Sequence, residues 1–339
     1  MRRPVALAVC LSALLVGLGL AEGAARLSSW GPDPALRLGD SLWDWGDLIH
    51  RQSELPGLAY ELSPGLKGRF KDVRVSINAQ GLRGPEVRSV KGRWLRRLAV
   101  LGDSTTYGWG VDSEQTWSAV LGRLLDRRAD GYVNEVLNFG VSGYSSQDEA
   151  VVLEARALPL EPDLLLLGYN LNDPEFEPRQ PLHRFYAEPE WWEGSRLLRW
   201  AEQRRQAWRR QRLGGGDPFR LLHAEGTRTW ASVQDAFLRM GRAAQAAGLD
   251  MLVVLFPLGR VPADPAEYRY ADLHARVAAA AREAGLEVLD LVPAYAAVAD
   301  GPVYLLPDLH PNPLGHEIAA AAVAERLSSG PPSLPMADD

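Results

Sequence analysis

A doubly wound α/β domain on five parallel strands is what this sequence predicts, and three observations carry it. Short apolar runs alternate with longer amphipathic ones from Leu95 to Leu327, as strands and their crossover helices do. One of these runs, Asp163–Gly168 (DLLLLG), is uninterrupted, the mark of a strand buried on both faces. Three of the runs end in small and polar residues: Gly102-Asp103-Ser104, Asn138-Phe139-Gly140 and Tyr169-Asn170-Leu171-Asn172. Open α/β sheets keep their sites at such carboxyl ends.

Composition agrees with one large domain plus additions. The chain has 339 residues, 46% hydrophobic and 24% charged, enough apolar surface for a sizeable core. A formal net charge of -6 argues against nucleic acid as a partner. The one cysteine, Cys10, excludes an intrachain disulfide and a cysteine-based metal site.

Residues 1–26 form a signal anchor or a signal peptide. Arg2 and Arg3 precede the uncharged run Pro4–Ala21, 18 residues long. As a helix that run spans about 27 Å, against roughly 30 Å of bilayer hydrocarbon. Basic residues on its amino side keep that end in the cytoplasm and place the body outside the membrane, in the periplasm of a cell with two membranes. The chain is then tethered to the inner membrane, or secreted if cut at Gly19-Leu20-Ala21.

Residues 27–94 read as a linker and a small β addition, in which Gly68–Asn78 alternates polar and apolar side chains as one half-buried strand. The main domain occupies 95–329. Its strands fall at Leu98–Leu101, Val133–Phe139, Asp163–Gly168, Leu249–Phe256 and Leu286–Leu291. Helical spacing covers Thr116–Arg127, Ser146–Ala157, Trp230–Ala247, Glu267–Ala284 and Pro313–Leu327. An insertion rich in tryptophan and arginine, 174–226, interrupts this rhythm, and Arg196–Leu213 within it reads as a basic amphipathic helix. It is a solvated helix, a lid over the site, or a helix on anionic lipid. A Pro-rich tail, 330–339, is expected to be disordered. Gly102-Asp103-Ser104 is not a G-x-G-x-x-G turn, which excludes the dinucleotide-binding version of the fold.

The strand ends carry residues that suit one another. A serine hydroxyl attacks a carbonyl only if a neutral imidazole takes its proton, and His310 is the candidate for Ser104. The imidazole needs an acceptor on its other nitrogen. Asp308 is the nearest carboxylate in sequence, with Asp290 as a rival. The oxyanion needs fixed donors: the amides of Ser104 and Gly140 and the side chain of Asn172. Asp103 reads as a turn holder and Asp173 as support for Asn172. His316, at the start of a helical face, reads as a packing or capping residue rather than a second base, and His50, His183, His223 and His274 are too scattered in sequence to suggest a metal site.

In four blocks, GDSTTYGWG around Ser104, NFGVSGYSS around Gly140, NLND around Asn172 and DLHPNPLGH around Asp308 and His310, the chain resembles the SGNH branch of the GDSL hydrolases. The stretch VSINAQGLRGPE and the N-terminal run resemble membrane-anchored bacterial members. The resemblance implies a flavodoxin-like sheet and a serine esterase that hydrolyses an acyl ester, often O-acetyl, with no metal and no cofactor. An acylated glycan or lipid is the substrate class that follows. Between two asparagines, the resemblance selects Asn172, which Asp173 follows, over Asn170. One departure stands out: the family places its aspartate three residues before the histidine, where this chain has Pro307, so Asp308 takes the role at two. An O-acetyltransferase acting on an envelope polysaccharide, or a non-catalytic binding protein, are the alternative uses of the same fold.

Overall fold

The computed structural model describes residues 2–27, 49–70, 73–88, 90–128, 130–174, 181–186, 194–213, 215–298, 302–305 and 310–329. Helix α1 (Arg2–Leu27) comes first. Its apolar side chains from Val9 to Leu20 are exposed, Val9 by 62% and Leu20 by 71%.

Two small antiparallel pairs follow: β1 (His50–Gln52) with β2 (Tyr60–Leu62), and β3 (Lys67–Phe70) with β4 (Val73–Ser76). The single strand expected over Gly68–Asn78 is therefore a hairpin, with Phe70 paired to Val73. Paired residues share a face, so the apolar positions shift from even (Phe70) to odd (Val73, Val75, Ile77) across the two-residue connection, a one-residue break that marks the reversal.

The five apolar runs form one parallel sheet from β5 (Leu95–Gly102), β6 (Val133–Asn138), β7 (Leu164–Tyr169), β8 (Met251–Leu255) and β9 (Glu287–Asp290), in the order β6-β5-β7-β8-β9. Every residue of β5, β7 and β8 is buried, as strands covered on both faces must be. The helices after α1 are α2 (Ser104–Tyr107), α3 (Trp117–Asp126), α4 (Ser146–Val152), α5 (Pro181–Tyr186), α6 (Arg196–Leu213), α7 (Pro218–Leu222), α8 (Arg228–Ala247), α9 (Ala271–Glu283), α10 (Val292–Ala296) and α11 (Pro313–Ser329); α6 packs on α1 and α7. This is the doubly wound, flavodoxin-like architecture. Chain direction across the sheet reverses between β5 and β7, and Gly102 pairs with Gly168 at their carboxyl ends. The crevice of a doubly wound sheet opens there.

The N-terminal pairs are fastened to this domain. Tyr60 is fully buried, donates its hydroxyl to the Ser142 carbonyl at 2.9 Å, and its own carbonyl accepts from the Tyr144 hydroxyl at 2.7 Å. The tail 330–339 lies outside the described residues.

Candidate active site

Ser104 opens α2, the single turn that follows β5. Asp103 caps that turn: its Oδ1 accepts the Thr105 amide at 2.8 Å, the local bond that favours aspartate at an N-cap. Gly102 has φ +148, and a Cβ there would lie 2.2 Å from Thr106 Oγ1, so strand and turn meet at a distance only glycine permits.

His310 Nε2 lies 2.8 Å from Ser104 Oγ, 206 residues away in sequence. The loop that brings it is closed at its base. The Leu305 amide donates to the His310 carbonyl at 2.7 Å, the Asn312 amide to the Val303 carbonyl at 3.0 Å, and Tyr304 bridges Pro311. Asp308 lies outside the described residues. Its rival, Asp290, is engaged elsewhere: Oδ1 meets His274 Nδ1 at 3.0 Å and accepts the Val292 amide at 2.9 Å.

Asn172 and Asn170 point to different partners. Asn172 donates through Nδ2 to Asp103 Oδ2 at 2.8 Å, and the same oxygen lies 3.2 Å from Ser104 Oγ. Asn170 donates to Thr105 Oγ1 at 2.6 Å, and its amide donates to Asp173 Oδ2 at 2.8 Å. Asn172 is thus the asparagine beside the serine, and Asn170 braces the loop.

The Gly140 amide donates to Asn138 Oδ1 at 2.9 Å. Asn138 is buried and also donates to the Thr106 carbonyl at 2.8 Å and to Ser118 Oγ at 2.9 Å. One side chain so ties the end of β6 to the turn behind Ser104. Glycine at 140 is required by that packing, since a Cβ would sit 2.3 Å from the Tyr107 nitrogen. The crowding at this glycine comes from the protein's own backbone.

Two further groups escaped the sequence reading. Arg83, just after the β3–β4 hairpin, is buried and donates to the carbonyls of Tyr107 at 2.7 Å, Gly108 at 2.6 Å and Val111 at 2.6 Å. It also stacks on the Tyr107 ring, 4.3 Å from its centroid. A cation at these carbonyls complements the carboxyl end of α2. Glu149 on α4 is buried, and neither carboxylate oxygen has a hydrogen-bond partner. Burial, reinforced by the charges of Asp103 and Asp148, drives its pKa well above the ordinary range, so it stands neutral in the core. Burial likewise raises Asp173, with Glu149 and Asp103 adding to the effect.

The remaining histidines have structural surroundings. His316 is fully buried, accepts the Trp117 amide on Nδ1 at 3.2 Å, and burial lowers its pKa to about 3. His223 Nε2 meets the Tyr169 hydroxyl at 2.9 Å, and His183 Nε2 meets Asp148 Oδ2 at 2.9 Å. Among the described residues, no three His, Cys, Asp or Glu side chains gather into a set that could hold a metal ion. A cavity of about 620 Å³ lies between the segment around Arg83, α3 and β6, and neither Ser104 nor His310 lines it.

A family model described as the GDSL-like lipase/acylhydrolase family matches residues 100–318. Among solved structures, TesA is 20% identical, with 68% of this chain and 98% of that one covered and a TM-score of 0.44. The acetyl xylan esterase AlAXEase is 14% identical, covering 68% and 99% with a TM-score of 0.45. The psychrotrophic esterase EstA from Pseudoalteromonas sp. is 14% identical, covering 69% and 97% with a TM-score of 0.42. No curated protein matches the chain.

Proposed function

The chain belongs to the GDSL-like lipase/acylhydrolase family, enzymes that cleave ester bonds, and from that premise we propose a membrane-anchored, extracytoplasmic serine esterase acting on an acylated glycan or lipid. The observation that carries the mechanism is the 2.8 Å contact of His310 Nε2 with Ser104 Oγ. A neutral imidazole at that distance takes the hydroxyl proton as Oγ attacks the ester carbonyl. The tetrahedral oxyanion is held by the Ser104 and Gly140 amides and by Asn172. His310 then returns the proton to the departing alcohol, leaving an acyl group on Ser104. Water, deprotonated by the same imidazole, attacks the acyl-enzyme, and the imidazolium gives that proton to Ser104 Oγ as the carboxylic acid leaves. Asp308 orients the ring through Nδ1 in this scheme.

Asn172 donates one of its two Nδ2 hydrogens to Asp103 and keeps the other for the oxyanion, whereas the Gly140 amide is drawn from Asn138 Oδ1. The Trp109 ring, 6.0 Å from the His310 ring between centroids, supports an acyl or sugar moiety lying against an apolar wall.

For the anchor, the support is α1 itself. Val9–Leu27 has a mean hydropathy of 1.5 and none of it is buried, so its apolar surface is matched to lipid. Residues 95–329 form the hydrolase domain in this reading. The test is turnover of a panel of acetyl and longer acyl esters by wild type and Ser104→Ala. The variant is expected to lose at least about three orders of magnitude in kcat, the usual scale for removing a nucleophile. Full retained activity refutes the assignment.

A further inference from the structure

The basic, tryptophan-bearing helix α6 (Arg196–Leu213) is bolted to the end of α1. Glu22, the first charge after the apolar run, accepts the Arg196 amide at 3.0 Å, the Leu197 amide at 2.9 Å and the Ser195 hydroxyl at 2.7 Å. It thereby occupies the amide end of α6, where a carboxylate is favoured. In return, the Arg196 guanidinium donates to the carbonyls of Ala25 at 3.2 Å and Arg26 at 3.3 Å, the last carbonyls of α1. The Arg26 guanidinium donates to the Gly194 carbonyl at 2.9 Å. Each helix caps the other, so α6 starts where the apolar helix stops.

The composition of α6 then restricts where it can go. It carries seven arginines against one glutamate, which keeps it out of hydrocarbon. Trp200 is 50% exposed and Trp208 60%. Each lies under an arginine one turn later, Arg204 over Trp200 and Arg212 over Trp208, both at 5.5 Å from the ring centroid. The repeat W-x3-R-x3-W-x3-R places two exposed indoles and two guanidinium groups along one stripe. Indoles and long basic side chains suit the headgroup layer, where rings meet the acyl boundary and cations meet phosphate.

We propose that α6 lies on the outer face of the bilayer, with the Trp200–Arg204–Trp208–Arg212 stripe on anionic phospholipid. This rests on α1 being a membrane anchor, and it adds a second contact that holds the hydrolase domain against the lipid surface. The partner is the phosphodiester headgroup of an anionic lipid; the charge of the stripe and its continuity with the end of α1 single it out.

The test uses the full chain reconstituted into vesicles of phosphatidylcholine with or without phosphatidylglycerol, each with brominated acyl chains that quench nearby indoles. With phosphatidylglycerol, wild type should lose more emission than Trp200→Phe/Trp208→Phe, by an amount near those two residues' share of the eleven tryptophans in the chain. That difference should vanish in phosphatidylcholine alone and in Arg204→Gln/Arg212→Gln. Equal quenching of wild type and the tryptophan variant on vesicles that retain the protein overturns the α6 contact and leaves the anchor standing. Release by alkaline carbonate, with the quenching difference present at neutral pH, overturns the anchor and leaves the α6 contact. Failure to float with vesicles at neutral pH overturns both.

Discussion

Asp103 illustrates how much a single side chain organises here. Its two oxygens accept from the Thr105 amide and from Asn172, and the second also lies 3.2 Å from Ser104 Oγ. One carboxylate thus holds the helix cap and Asn172 and lies against Ser104. Its role as turn holder was legible from Gly102-Asp103-Ser104; its hold on Asn172 was not, because that contact spans 69 residues. Glu149 is the opposite case, a carboxyl with no partner. Its folded pKa is raised above the unfolded 4.5, so the unfolded chain sheds a proton that the folded one keeps. Its contribution to stability is complete below about pH 4.5 and is lost as pH rises toward the folded value. Glu149→Gln should match wild type in urea midpoint near pH 4.5 and exceed it increasingly toward pH 8. A difference that stays constant with pH would show the carboxyl to be ionised in the fold. The sequence held a faint signal for Glu149: it stands three and four residues before the buried Val152 and Leu153, on the inward face of its helix.

At the scale of elements, the segment after the β3–β4 hairpin functions as a clamp. Arg83 reaches from it into three carbonyls behind the serine turn. Arg83→Ala strands those carbonyls and should cost about 3 kcal/mol in urea denaturation, the scale of a lost charged hydrogen-bond network. It should also lower kcat by loosening α2. Arg83→Lys keeps the charge but not the fork that spans several acceptors, so it should rescue little of either. Little about this clamp was readable beforehand. Its arginine sits between turn residues, Gly81 and Gly84-Pro85, with no periodicity to show that it turns inward. The parallel strands, by contrast, were legible one by one, because each is an apolar run with a polar stop. Their neighbour relations followed from the doubly wound rule, which sets the first strand beside the third; β5 and β7 are so paired.

Across the whole molecule, buried histidines set the acid limit. His50, His223 and His316 are held neutral by burial, with pKa values lowered to about 4, 4 and 3. The unfolded chain protonates these rings as pH falls below about 6.5 while the folded chain does not. Stability should therefore fall between pH 6.5 and 4, with each ring contributing roughly 1.4 kcal/mol per pH unit where only the unfolded form titrates. Thermal unfolding of His316→Gln should show a shallower acid limb than wild type; an unchanged limb would contradict the burial argument. The closed base of the His310 loop carries a different consequence, one of timing. The chain is made from its amino end, so Arg83, Ser104, Gly140 and Asn172 all emerge long before the imidazole that Ser104 requires. Under the proposed mechanism, a nascent or truncated product ending before His310 carries its nucleophile but not its base. Hydrolysis then begins only after the segment carrying His310 has been made, and the sheet's carboxyl edge stays chemically silent until that segment reaches Ser104.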